Sequence, residues 1–150
     1  MLAAGDRHSL ALARDRAAYA WGDGRRGQLG NGGRSVRTRA APVSGLAAVR
    51  AIAAGAEHAA ALLDDGSVRV WGDGVLGQLG VEVGPMRLLP VRMGLPGTAS
   101  AVSCGGYHTL VLLRDRRLLA SGHNFFGQLG DYTRMDRATP VPLWSQCLRP

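Results

Sequence analysis

The chain has 150 residues, 46% hydrophobic and 19% charged. That is enough for one ordinary domain with a single core, far from the polar, charge-rich balance that leaves chains disordered. A formal net charge of +7, carried by 18 basic residues that are all arginine, fits an acidic protein or nucleic-acid partner as well as an arginine-solvated surface, and it bears on association, not on fold.

In chain order, Leu2-Ala3-Ala4 precedes Gly5 and His8, and a strand-length apolar run, Leu10-Ala11-Leu12-Ala13, ends at Arg14-Asp15-Arg16. Tyr19-Ala20-Trp21 follows, so the two runs predict a β-hairpin. The middle counterpart places Asp65-Gly66 between Ala60-Ala61-Leu62-Leu63 and Val68-Arg69-Val70-Trp71, a strong short hairpin signal. Arg16 and Arg116 stand where Gly66 does, at about 1 kcal/mol each if the site needs positive φ. Beyond Trp21 comes a glycine-dense loop with Gly27-Gln28-Leu29-Gly30, then a segment reaching Pro42, Pro90 or Pro140. Those prolines step by 48 and then 50 residues, which predicts a first loop two residues longer than the others. Val49-Arg50-Ala51-Ile52-Ala53 reads as a further strand, so each unit holds about four.

The whole pattern repeats at a step of 50 residues: Gly27-Gln28-Leu29-Gly30 returns as Gly77-Gln78-Leu79-Gly80 and Gly127-Gln128-Leu129-Gly130. Gly5 with His8 returns as Gly55 with His58 and Gly105 with His108, and Trp21-Gly22 as Trp71-Gly72, drifting to Ser121-Gly122 in the last copy. Three units result, about 4–53, 54–103 and 104–150, within one repeat domain spanning 1–150, and 144–150 matches no repeat position. Such self-similarity marks stacked units that cover one another's apolar faces. Gly24, Gly74 and Asn124 share a position and predict left-handed backbone there.

Gly-x-x-His, Trp-Gly-x-[Asn/Gly], Gly-Gln-Leu-Gly and Pro-Val, in that order from about Ala4 to Val141, resemble the regulator of chromosome condensation repeat. The resemblance implies an all-β fold of β-propeller-type repeats, here three blades of about four antiparallel strands, an incomplete propeller. Family members with seven repeats close into a ring, and the founding one is a nucleotide exchange factor for the small GTPase Ran. Because members often close by pairing both chain ends in one blade, two distant half-blades are expected here, each with an unpaired edge and an apolar flank open to self-association. The outcomes are a fragment of a longer propeller, an open arc covered by a partner, or a closed oligomer such as two chains making six blades.

Residues that recur in every unit serve what every unit does. Gly5, Gly55 and Gly105; His8, His58 and His108; Trp21 and Trp71; Gly22, Gly72 and Gly122; Gly27, Gly77 and Gly127; Gln28, Gln78 and Gln128; and Gly30, Gly80 and Gly130 are therefore structural expectations. The histidines fall in three different blades, against a metal or catalytic trio, and the Gly-Gln-Leu-Gly loops lack the Lys-Ser/Thr of a phosphate cradle. Cys104 replaces Ala4 and Ala54 as a small buried side chain, and no metal spacing or disulfide framework is present. No catalytic, cofactor-binding or metal residue is expected, hence no enzyme. With no N-terminal signal segment and no long apolar run, the expectation is an intracellular protein, cytoplasmic or nuclear, away from membranes.

Partner binding is sought where the units differ. Arg25, Arg26, Arg34, Arg37 and Arg39 are expected on the loop after the second strand, at the rim opposite the hairpin turns with Arg14, Arg16, Arg114, Arg116 and Arg117. Phe125-Phe126 replaces Arg25-Arg26 and Val75-Leu76, as a hot spot or a covered blade face. The ultraviolet-B photoreceptor that resembles this scaffold has tryptophan after the glycine of Gly-x-x-His; Asp6, Ala56 and Gly106 stand there here. The even step also leaves no room for the wedge-like insertion used in exchange on Ran. These residues predict a protein-binding scaffold acting through rim loops. The alternatives are exchange on a Ran-like GTPase, or chromatin and nucleic-acid attachment through the arginines.

Overall fold

A computed structural model describes residues 1–82, 84 and 86–143. All regular structure among them is β: strands β1 (Leu2–Ala4), β2 (His8–Leu12), β3 (Ala18–Gly22) and β4 (Arg37–Pro42) form one sheet. A second sheet holds β5 (Val49–Ala54), β6 (His58–Leu63), β7 (Val68–Asp73) and β8 (Met86–Arg92), and a third β9 (Ala99–Cys104), β10 (His108–Leu113), β11 (Leu118–Gly122) and β12 (Arg137–Pro142). Each is an antiparallel meander of four strands, a propeller blade, and the three do not close a ring. Blades I, II and III are these sheets in chain order. Their first two strands meet across the seams, β5 against β1 and β2, and β9 against β5 and β6.

Local chemistry explains the meander. In each β2–β3-type turn an aspartate accepts the N–H two residues on: Asp15 from Ala17 (3.1 Å), Asp65 from Ser67 (2.8 Å) and Asp115 from Arg117 (3.0 Å). The next residue is left-handed in all three, with φ of 67° at Arg16, 78° at Gly66 and 70° at Arg116. The two arginines therefore carry the backbone cost that their place in the repeat implied.

Burial shows how the blades stack. In β2 the buried positions are His8 and Leu10, whereas in β10 they are Thr109, Val111 and Leu113. Period-two alternation puts these sets on opposite faces, both turned toward blade II. Sandwiched between them, β6 is buried on both faces from His58 to Leu62. Alanines 59, 60 and 61, each 0% exposed, let the sheets approach. One core cluster fills each seam: Leu10, Leu29, Ile52 and Trp71 between blades I and II, and Leu62, Leu79, Met93 and Val111 between II and III.

Three expectations are corrected. Gly22, Gly72 and Gly122 pair with Arg37, Arg87 and Arg137, so the step stays at 50 and the first loop is no longer than the others. Pro42 matches Pro142, not Pro90, because the outermost strand tolerates a missing N–H at more than one position. Nor are Gly24, Gly74 and Asn124 among the left-handed residues. A Cβ on Gly24 would lie 2.3 Å from the Ser35 carbonyl, so space selects glycine there. Finally, Ala4 pairs with Ser9 through a tight local turn, and Val49–Ala54 pairs forward with β6. Both ends are therefore whole blades, not half-blades, and what lies open is a broad blade face. The segment 144–150 lies outside the described residues.

Candidate functional site

The loop after the third strand of each blade is a cage built from repeated residues. Gly27 N–H donates to the Gly24 carbonyl (2.9 Å) and Gly30 N–H to that of Gly27 (3.0 Å); the same pairs recur at Gly77 and Gly80, and at Gly127 and Gly130. The glutamine then locks the tip, its Oε1 accepting the N–H two residues back, from Arg26 (2.8 Å), Leu76 (2.9 Å) and Phe126 (3.0 Å). Leu29, Leu79 and Leu129 anchor each cage in the core at 0–1% exposure. Residues 25–26, 75–76 and 125–126 are thereby displayed at one rim on rigid supports.

In blade I the display is ionic. The Arg25 guanidinium forks onto Asp23 at 2.6–3.1 Å, and hydrogen bonds from Arg25 hold the Asp23 carboxyl down at about 2. Arg26 lies 3.7 Å from Glu57 and 3.8 Å from Asp73, across the seam, and Arg34 Nε donates to the Arg25 carbonyl (3.1 Å). Arg37 and Arg39 lie on β4 and not on the loop, exposed and without an ionic partner among the described residues. At the opposite rim, Arg16 pairs with Asp64 across the seam and Arg117 with Asp115 (2.7 Å).

Blade III displays aromatics instead. Phe125 and Phe126, 62% and 81% exposed, meet edge-to-face at 5.1 Å, and His123 stacks on Phe125 at 6.5 Å. The His123 ring is held in turn by Gln128 Nε2 at 2.9 Å from its Nδ1. Beneath them the fully buried Asn124 donates Nδ2–H to Asp131 (2.9 Å) and accepts the Leu129 N–H (2.9 Å), filling the place of the glycines with a hydrogen-bonded clamp. Burial would raise the Asp131 carboxyl, but hydrogen bonds from Thr133, Arg137 and Asn124 outweigh it and bring it to about 2.

Of the three repeated histidines, His8 and His58 lie at the two internal seams, and His108 holds the same place on the outer face of blade III, half-buried. Each backbone carbonyl accepts the N–H of the glycine three residues earlier at 2.9 Å, and each ring covers that glycine, so that a Cβ there would lie 2.0–2.5 Å from ring atoms. Burial lowers His8 to about 4 and His58 to about 3, so both rings are neutral. His58 Nε2 lies 3.0 Å from Thr109 Oγ1, and that hydroxyl donates to the Gln78 carbonyl at 2.7 Å. At the other seam Trp71 Nε1–H donates to the Gln28 carbonyl at 2.9 Å, and neither His8 nitrogen has a hydrogen-bond partner among the described residues. Burial raises the Cys104 thiol to about 12, with Sγ 4.0 Å from Thr109 Oγ1. Among the described residues no three His, Cys, Asp or Glu side chains form a metal-binding group, and no helix is long and apolar enough to cross a membrane.

The glutamine's locking role and the Thr109 bridge escape a reading by repetition. The signal for the first is an unvarying glutamine two residues after a variable pair. For the second it is that Trp gives way to Ser at 121 in the one covered blade where Ala gives way to Thr at 109.

A model of the regulator of chromosome condensation (RCC1) repeat matches residues 17–62 and 65–112, and a second model of the same repeat matches 2–28, 49–78 and 99–128. Among solved structures, the chain superposes on yeast RCC1 (Prp20) bound to Kap60 with a TM-score of 0.88 at 19% identity, covering 99% of this chain and 37% of that one. Prp20p from Saccharomyces cerevisiae, described with its binding properties to Gsp1p and histones, gives 0.87 at 20% identity, covering 99% and 39%. Human WBSCR16 gives 0.85 at 26%, covering 95% and 37%. The chain thus spans well under half the length of these structures. No curated protein matches it in sequence.

Proposed function

Because the chain belongs to the regulator of chromosome condensation repeat family, we propose that it is a non-enzymatic module that binds a protein partner through the rim formed by its three caged loops. The observation that carries this reading is that three cages closed by the same hydrogen bonds present three different tips: Arg25-Arg26, Val75-Leu76 and Phe125-Phe126. A rigid support with variable contact residues is how loop-borne recognition is built. Exposed aromatics and arginines are the side chains that dominate binding energy. Nucleic-acid attachment has less support at this rim, since Asp23, Glu57 and Asp73 engage Arg25 and Arg26; of the five candidate arginines, Arg34, Arg37 and Arg39 have no carboxylate partner among the described residues.

The partners described for yeast Prp20 supply probes: purified histones, and a Ran-type GTPase carrying fluorescent GDP. The reading expects one of them to bind, and Phe125→Ala or Arg25→Ala to weaken that binding about tenfold or more. Absence of binding to both, or binding indifferent to both substitutions, overturns it. Faster GDP release on adding the chain would replace it with an exchange activity, and affinity for DNA falling steeply with salt would point to the arginines.

A further inference from the structure

Asn31-Gly32-Gly33 lies where the cage of blade I runs out toward β4. An asparagine before a glycine can modify itself. The glycine nitrogen attacks the side-chain amide carbon and gives up its proton, the amide leaves as ammonia, and water opens the resulting succinimide at either carbonyl to an aspartate or an isoaspartate. Glycine suits the step because no Cβ obstructs the approach. Here the electrophile is prepared and the nucleophile is withheld. The Gly33 N–H donates to Asn31 Oδ1 at 2.8 Å, the oxygen that takes up negative charge as the nitrogen adds, where a positioned donor helps. The Gly32 N–H, by contrast, donates to the Leu88 carbonyl of β8 at 3.0 Å. That bond has to break before the nitrogen can turn onto the side chain. Leu88 belongs to blade II, so release of Gly32 is an opening of the internal seam between blades I and II. The same stretch of β8 holds the cage itself: a Cβ on Gly27 would lie 2.9 Å from the Arg87 carbonyl and 3.0 Å from Leu88 Cδ2.

Blade III shows what the product would do. Asp131 is the counterpart of Asn31, and Arg137 that of Arg37, in the same register against Gly122 and Gly22. Asp131 Oδ1 accepts the N–H two residues on, from Thr133 at 3.0 Å, as Asn31 Oδ1 does from Gly33. Its Oδ2 is left to accept Arg137 Nε at 2.7 Å. In blade I that second place belongs to the Asn31 Nδ2 group, which donates only, and a guanidinium also donates only. Arg37 accordingly has no ionic partner among the described residues. Exchanging the amide nitrogen for a carboxylate oxygen supplies the acceptor that Arg37 lacks.

We propose that Asn31 is a self-modification site gated by the seam between blades I and II. Opening of the loop from Leu88 frees the Gly32 nitrogen, Asn31 loses ammonia, and the aspartate formed at position 31 takes Arg37 as Asp131 takes Arg137. Water is the only co-reactant. Both products lower the net charge of the chain by one, and the aspartate also engages one of the open cations of β4, so the arginine surface of blade I carries a lasting record that the seam has opened.

Tryptic mapping tests this, because cleavage after Arg26 and Arg34 releases residues 27–34 as one peptide, whose fragmentation assigns an amide-to-acid change to Asn31 or to Gln28. The 150-residue chain is incubated at mildly alkaline pH, native and in concentrated urea. Asn31 should convert at least about tenfold more slowly in the native chain than in the unfolded one. Gly27→Ala, which presses the cage against Arg87 and Leu88, should speed the native reaction and leave the unfolded rate unchanged. Gly77→Ala, whose clash falls at the other seam, should not speed it, which separates local opening from a loss of overall stability. In Asn31→Asp the new carboxyl, followed by NMR, should titrate below an ordinary aspartate and return toward it when Arg37→Ala is added. Equal native and unfolded rates, no conversion of Asn31 in either state, equal acceleration by both glycine variants, or a carboxyl indifferent to Arg37 overturns the proposal.

Discussion

The two internal seams solve one problem with different chemistry. Between blades I and II, Trp71 is fully buried and satisfies the Gln28 carbonyl, while its cross-strand partner Ala59 makes room and leaves His8 without a hydroxyl. Between II and III, Ser121 replaces the indole and its cross-strand partner Thr109 takes over, serving the Gln78 carbonyl and the Nε2 of His58 together. The drift of the tryptophan is thus half of a paired exchange. What the seam requires is a donor at the glutamine carbonyl and volume beside it, and either strand can supply the donor.

The largest test of that equivalence is truncation at each donor. Trp71→Ala should lower stability by about 3–5 kcal/mol, losing a large buried side chain as well as a hydrogen bond. Thr109→Val keeps the volume and should cost only about 1–3 kcal/mol, through the orphaned Gln78 carbonyl and His58 ring. Urea unfolding measures both. Equal losses would mean that the hydrogen bond, not the volume, dominates the first seam.

Acid separates the seams next. Histidine folded below its ordinary 6.5 is neutral in the native state while the unfolded chain takes up a proton, so stability is full above that value. It falls as pH drops toward about 4 for His8. At about 1.4 kcal/mol per unit the His8 share is on the order of 3 kcal/mol, and His8→Gln should make the pH dependence of the unfolding midpoint shallower across that window, leaving the share of His58, which is also lowered by burial. An unchanged slope would show that His8 is not the titrating group.

A smaller effect isolates seam contact from backbone. Gly77 and Gly127 share left-handed φ of 83° and 77°, but a Cβ on Gly77 would lie 2.5 Å from the Arg137 carbonyl, whereas among the described residues nothing lies within 4 Å of one on Gly127. Gly127→Ala should therefore cost about 1 kcal/mol for conformation alone, and Gly77→Ala about 1–3 kcal/mol more for the clash, read by thermal unfolding. Smallest is Arg116→Gly at φ 70°, expected to stabilise by about 1 kcal/mol. Loss of stability there would mean that the arginine makes a contact outweighing its strain.

The blade count, the strand pairs and the Gly-Gln-Leu-Gly turns were legible in the residues, because turns and hairpins are local and a 50-residue step copies local requirements. Repetition could not distinguish a glycine kept for its φ, such as Gly127, from one kept for space, such as Gly24; that depends on a carbonyl eleven residues away. It also placed Arg37 and Arg39 on a loop, where the pairing of Gly22 with Arg37 puts them on the outer strand. At the rim, the aromatic and arginine tips stood out as departures from the repeat, but the salt bridges that engage Arg26 cross a seam and have no trace in spacing. Tertiary structure alone decided which neighbour each repeated residue meets: Thr109 with His58 and Gln78, Trp71 with Gln28. Those partners come from adjacent blades, and only packing brings them within hydrogen-bond reach.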